Sequence, residues 1–159
     1  MKTILKFTVL IFALSVFIVA CNDEETKADN EVVPAAPRPA ITNIVAASHE
    51  DGSSTVARGE TLGLDFDALT QSDYRLDKYH IEIHDHPESG LVQDEYKIID
   101  STFVNDPTFE DTKNAHVHKH IIIPDTANLG SYHVVIIVFD KDGNTTDTED
   151  LETHITVTE

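Results

Sequence analysis

From Ile41 onward the chain alternates apolar and polar positions in short runs. The runs are ITNIVAAS (41–48), TLGLDFDAL (61–69), KYHIEIHDH (78–86), EYKIIDSTF (95–103), HVHKHIIIP (116–124), YHVVIIVFD (132–140) and LETHITVT (151–158). They are rich in β-branched and aromatic residues, and clusters of Gly, Pro, Asn and Asp separate them. This is the chemistry of strands joined by turns. No stretch of useful length shows the apolar period of a helix. The pattern predicts an all-β sandwich of seven strands in a single domain, residues 41–159. About 120 residues are enough for one buried core and too few for two.

Two of the predicted strands carry unusual chemistry. Successive strand residues point to opposite faces, so residues two apart share a face. In 78–86, Tyr79, Ile81 and Ile83 form an apolar face, and His80, Glu82, His84 and His86 form the other. In 116–120, His116, His118 and His120 share a face, opposite Val117, Lys119, Ile121 and Ile123. Six of the nine histidines fall in these two runs, always at alternate positions. The apolar sets belong in the core, which turns the histidines outward. Imidazoles two apart on a strand can converge on an ion, and a neighbouring strand can supply a third ligand. An imidazole and carboxylate set without thiolate suits zinc or oxidised copper and argues against a closed structural zinc knot. His49 and His154, which stand alone in sequence, read as surface residues. HIEIH is not the metalloprotease HExxH, which needs a helix and a glutamate next to the first histidine.

The first residues have another origin. MKTILKFTVLIFALSVFIVAC has a basic start at Lys2 and Lys6, an apolar run from Phe7 to Ala20, and then the only cysteine. This layout predicts a secretory signal over residues 1–20. Residues 18–21, IVAC, resemble the bacterial lipobox. The resemblance implies cleavage before Cys21, lipidation there, and attachment to the membrane through that lipid. The polar, acidic and then proline-rich stretch that follows predicts a flexible linker, so that 21–40 tethers the domain. The acidic run Asp23-Glu24-Glu25 resembles the surface-export signal of Bacteroidota lipoproteins, which implies an outer-membrane, surface-exposed position in the cell envelope.

Charge narrows the range of partners. Without residues 1–20 the basic residues fall from 11 to 9 against 29 acidic ones, a formal charge of −20. Nucleic acid is excluded as a partner, because phosphate binding needs a basic patch. Cations are favoured.

LGSYHVVIIVFDKDGN (129–144) resembles the last hairpin of immunoglobulin-like domains in bacterial surface proteins. The resemblance implies that Tyr132 is a tyrosine-corner residue with Val134, Ile136 and Val138 following it inward. It also implies that strands 78–86 and 132–140 pair antiparallel, bringing His84 and His86 toward His133, with Glu152 or His154 opposite His133. Together with the two His runs, Gly130-Ser131-Tyr132-His133 and Asp140-Lys141-Asp142-Gly143-Asn144, residues 41–158 resemble an uncharacterised family of Bacteroidota lipoproteins with a His-rich immunoglobulin-like domain. Asp140–Asn144 reads as a turn and not as an EF-hand, since Thr145 and Leu151 stand where Gly and Glu are needed.

The expectation is a non-enzymatic envelope lipoprotein that binds zinc or copper for acquisition, buffering or delivery, with a metal-handling or surface protein as partner. Its candidate ligands are His80, Glu82, His84, His86, His116, His118, His120 and His133. Whether the two His runs make one site or two is left open by the sequence. The alternative is an immunoglobulin-like interaction module for a protein or glycan. The glycan version is disfavoured by the absence of Trp. An open sheet face with no evident general base argues against a metal-assisted hydrolase.

Overall fold

The computed structural model describes residues 37–70 and 73–159. The expected signal segment 1–20, Cys21 and most of the linker lie outside the described residues. Among the described residues, no helix is long and apolar enough to cross a membrane. The described residues form nine strands: β1 (Ala40–Ser48), β2 (Thr55–Ala57), β3 (Thr61–Leu69), β4 (Leu76–Asp85), β5 (Lys97–Val104), β6 (Asn114–Ile122), β7 (Gly130–Asp140), β8 (Thr145–Asp147) and β9 (His154–Thr158). One sheet has the order β1-β3-β6. The other has the order β2-β9-β7-β4-β5, with β8 also paired to β7. The two sheets pack face to face as an all-β sandwich.

The alternation in the sequence explains the packing. Leu62, Leu64 and Phe66 of β3 meet Tyr79, Ile81 and Ile83 of β4 and Val134, Ile136 and Val138 of β7 in a single core, each with no exposed surface. Tyr132 is also fully buried, and its hydroxyl donates to the Asn128 carbonyl at 3.0 Å. Burial pushes the Tyr132 phenol up to about 12, with the nearby Asp85 adding to the effect, so it stays a donor.

The structure has two strands more than the expected seven. Both are short and both are set by their neighbours. β2 runs parallel to β9, with Val56 opposite Val157. The other is β8, which precedes the expected strand 151–158; a detour separates it from β9, which begins only at His154. The detour keeps the β7 backbone satisfied. The Thr148 N–H donates to the Ile136 carbonyl at 3.0 Å, the Ile136 N–H donates to Thr148 Oγ1 at 2.9 Å, and the Thr153 carbonyl accepts from Val134 N–H at 2.9 Å. The β7–β8 turn is closed by Asp140. Its Oδ1 accepts from the N–H groups of Asp142 and Asn144, and its Oδ2 accepts from Asn144 Nδ2. Gly143 supplies the positive φ of 85°.

The one charge on the inward side of β6, Lys119, is accounted for at the crossover from β5 to β6. Its Nζ lies 2.9 Å from Asp106 Oδ2 and 4.6 Å from the Phe103 ring centre. The Tyr79 hydroxyl donates to the same carboxylate oxygen at 2.6 Å. Burial opposes ionisation of Asp106, but the bonds from Tyr79, Lys119 and Thr108 outweigh it and hold the carboxyl well below its usual range. A depressed carboxyl stabilises the fold above its unfolded value near pH 4, and that contribution is lost as pH falls toward the folded value. Asp106→Asn is expected to destabilise the domain by about 1–3 kcal/mol at pH 7. Urea midpoints should show the gap narrowing below about pH 4. A gap that does not change with pH would contradict this role.

Candidate metal centre

The register of the larger sheet lines up histidines from three strands. His84 of β4 is opposite His133 of β7, and His133 is opposite His154 of β9. His86 lies just past the end of β4 and is exposed. Its ring meets His84 edge-on at 5.2 Å between centres, and His133 meets His84 edge-on at 5.5 Å. His154 stacks on His133 at 5.0 Å. His84 and His133 are each only 6% exposed, although both face outward from the core. The ligating nitrogens of His84, His86 and His133 all lie within 4.8 Å of one another. Tetrahedral zinc with bonds of 2.0–2.1 Å sets its nitrogens about 3.4 Å apart. The exposed His86 can rotate toward the nearly buried pair.

The hydrogen bonds of the buried pair are informative. His133 Nε2 is 3.0 Å from the Leu151 carbonyl, which can only accept. Nε2 therefore carries the proton, and in a neutral ring Nδ1 keeps its lone pair. His84 Nδ1 is buried and has no hydrogen-bond partner among the described residues. Glu82 Oε1 is 3.1 Å from it, at an angle that makes no hydrogen bond, and the same oxygen is 2.8 Å from Lys97 Nζ.

The other candidates fall into separate groups. His80 Nδ1 bonds Thr102 Oγ1 at 2.9 Å, and its Nε2 is 3.2 Å from Asp100 Oδ1. His80, Glu82 and Asp100 lie close enough to share an ion. However, Lys97 already bridges the two carboxylates, at 2.8 and 3.0 Å. Its hydrogen bonds with Glu82 and then Asp100 hold the ammonium well above its usual range. A resident cation makes this the poorer place for a second one. Glu95 also lies within reach of Glu82 and His84.

His116, His118 and His120 stand on β6 in the smaller sheet, so the two His runs belong to different sheets and cannot share one ion. His118 and His120 meet His49, while His116 is held by Asp67 at 2.8 Å and lies outside that group. The Asn43 amide and then His116 keep the Asp67 carboxyl below its usual range. Sequence reasoning left out His49 and Glu95 as neighbours of the clusters, and it offered His154 only as an alternative to Glu152 opposite His133. For His154, the hairpin register between β7 and the last strand was the missing information.

Residues 19–158 match the family model described as Domain of unknown function (DUF4625), which is most of the chain, and the chain belongs to that family. Among solved structures it is similar to a DUF4466 family protein from Parabacteroides merdae ATCC 43184, at 11% identity over 70% of this chain and 42% of that one, with a TM-score of 0.46. It is also similar to the alkylpurine DNA glycosylase AlkC of Pseudomonas fluorescens, at 13% identity over 79% of this chain and 32% of that one, with a TM-score of 0.42. A beta-glucosidase from Listeria innocua is similar at 8% identity over 77% of this chain and 16% of that one, with a TM-score of 0.41. The chain spans less than half the length of each of these proteins. No curated protein matches it.

The buried His84 Nδ1 makes no hydrogen bond, and a buried polar atom without one is a cost that an apolar side chain avoids. In metal-free protein, His84→Leu is therefore expected to leave stability within about 1 kcal/mol of wild type, or to raise it. Thermal unfolding in the presence of a chelator reads this. A loss above about 2 kcal/mol would make His84 a structural residue instead.

Proposed function

We propose that this member of the DUF4625 family is a non-enzymatic cell-envelope lipoprotein that binds zinc or copper through His84, His86 and His133. The observation that carries the reading is the cluster of His84, His86 and His133, one ring nitrogen of each lying within 4.8 Å of the others, with His84 and His133 nearly buried. Imidazole donors without thiolate suit zinc and oxidised copper, while reduced copper prefers sulfur. The Leu151 carbonyl on His133 is the kind of outer contact that fixes the tautomer of a metal-ligating histidine. Three protein ligands leave a tetrahedral ion one open position, which suits acquisition, buffering or delivery better than permanent structural retention.

The envelope location rests on the sequence. The signal-like segment ending in IVAC supports a lipid anchor at Cys21, and the acidic residues behind it support export to the surface of an outer membrane. The immunoglobulin-like reading of the sandwich draws support from the β1-β3-β6 sheet facing a sheet centred on β7 and β4, and from the hydrogen bond between Tyr132 and Asn128.

Calorimetric titration of tag-free residues 22–159 with zinc and with copper(II) tests the reading. Stoichiometric uptake is expected, and His84→Ala and His133→Ala, which each remove a ligand, should weaken it by more than the roughly 10- to 100-fold that loss of a ligand's outer partner costs. Retention should fall as pH drops through about 6.5, because imidazole must be neutral to ligate. Absence of uptake at micromolar metal, or uptake that both variants keep, would overturn the proposal.

A further inference from the structure

The smaller sheet carries a separate arrangement on its outer face. β3 and β6 pair so that Gly63, Asp65 and Asp67 stand opposite His120, His118 and His116. The alternation that buries Leu62, Leu64 and Phe66 turns these three β3 residues outward, under the imidazoles. His49 follows β1, which pairs with the other side of β3, with Ser48 opposite Leu62. The N–H of His49 extends the ladder by donating to the Thr61 carbonyl at 2.9 Å. His49 therefore reaches the β6 histidines across the width of β3. Its ring meets His120 edge-on at 4.4 Å and lies 6.3 Å from His118. Gly63 leaves room for this approach. A Cβ there would sit 3.8 Å from His49 Cδ2, so any side chain longer than alanine would press on the imidazole.

We propose that His49, His118 and His120 form a second, solvent-open site for a divalent transition metal, with Asp65 as the positioning residue for His118. The ligating nitrogens of the three lie within 4.8 Å of one another, and all three residues are exposed. His118 Nδ1 is 2.7 Å from Asp65 Oδ1. A carboxylate can only accept, so Nδ1 carries the proton and Nε2 of a neutral His118 presents its lone pair. This is the carboxylate–histidine pairing that orients ligands in metal sites. His118 Nε2 and His120 Nε2 are 2.9 Å apart and share a proton. An ion bound between them requires that proton to move to His120 Nδ1 and the nitrogens to open to about 3.4 Å, the tetrahedral separation. Two exposed side chains in water allow both changes. Three imidazoles leave a fourth position for water or for a donor from another molecule. The exposure of all three ligands makes this the readily exchanging site, in contrast to the half-buried cluster around His84.

The proposal uses none of the residues that carry the proposed function, and the two can fail separately. Zinc equivalents on the full-length, tag-free chain are counted by competition with a chromophoric chelator. Two equivalents are expected in wild type and one in His49→Ala and in His120→Ala. Both variants lie at exposed positions and should keep the wild-type circular dichroism. Asp65→Asn should weaken the same equivalent about 10- to 100-fold. It should also move the ¹⁵N resonance of His118 Nδ1, which a purely structural role would leave in place, and Asp65→Glu should restore part of the affinity. Two equivalents retained in His49→Ala and His120→Ala would overturn the second site. So would a single wild-type equivalent that only His84→Ala removes, while leaving the first site standing. A single equivalent that His120→Ala removes and His84→Ala leaves would support the second site and defeat the first. No zinc bound at all would defeat both.

Discussion

The register between β4 and β7 sets both the core and the candidate site. It places Tyr79, Ile81 and Ile83 beside Val138, Ile136 and Val134, and it places His84 beside His133. The same alternation performs both tasks, so neither can change alone. A slip of one residue by either strand would turn its three apolar side chains to solvent and its histidine into the core. Each large apolar side chain is worth about 1.5–3 kcal/mol when buried. Three of them come to about 4.5–9 kcal/mol, comparable with the whole stability of a typical domain. The histidine row is therefore held by hydrophobic burial on the far side of the sheet.

The smaller sheet repeats this device with a different outcome. There the register of β3 with β6 puts carboxylates and a glycine under the histidines, and the rings stay exposed. In the larger sheet the chain between β8 and β9 loops out, and its Leu151 carbonyl meets His133. That detour and the neighbouring imidazoles account for the low exposure of His84 and His133. Two outward-facing His groups thus differ in burial because of what their neighbouring strands do, although they arise from the same two-residue period.

Much of this was legible in the sequence, for a physical reason. Which residues of a strand share a face is a local property, so the inward Tyr79, Ile81 and Ile83 and the alternating histidines could be read directly. Which residues meet across strands depends on register, and register is not local. The position of His133 was reached through resemblance to a hairpin of known arrangement. His154 stayed ambiguous with Glu152, because the detour at Thr148 changes the residue count between β7 and β9. His49 was read as a surface residue because its partner His120 is 71 positions away and is reached through β3. A signal was nevertheless present: GLDFD alternates a glycine and two aspartates in step with HVHKH. Lys119 broke the apolar face of its strand on paper, and Asp106, Tyr79 and Phe103 explain it only once the crossover is seen.

The most direct test of the central claim observes the ring nitrogens themselves. Long-range ¹H–¹⁵N spectra of uniformly labelled protein resolve the two nitrogens of each imidazole and show which one is protonated. Saturating zinc is expected to move one nitrogen each of His84, His86 and His133 to a metal-bound resonance, while both nitrogens of His80 and His116 stay where they were. Spectra in which the rings of His84, His86 and His133 do not respond to zinc would contradict the claim.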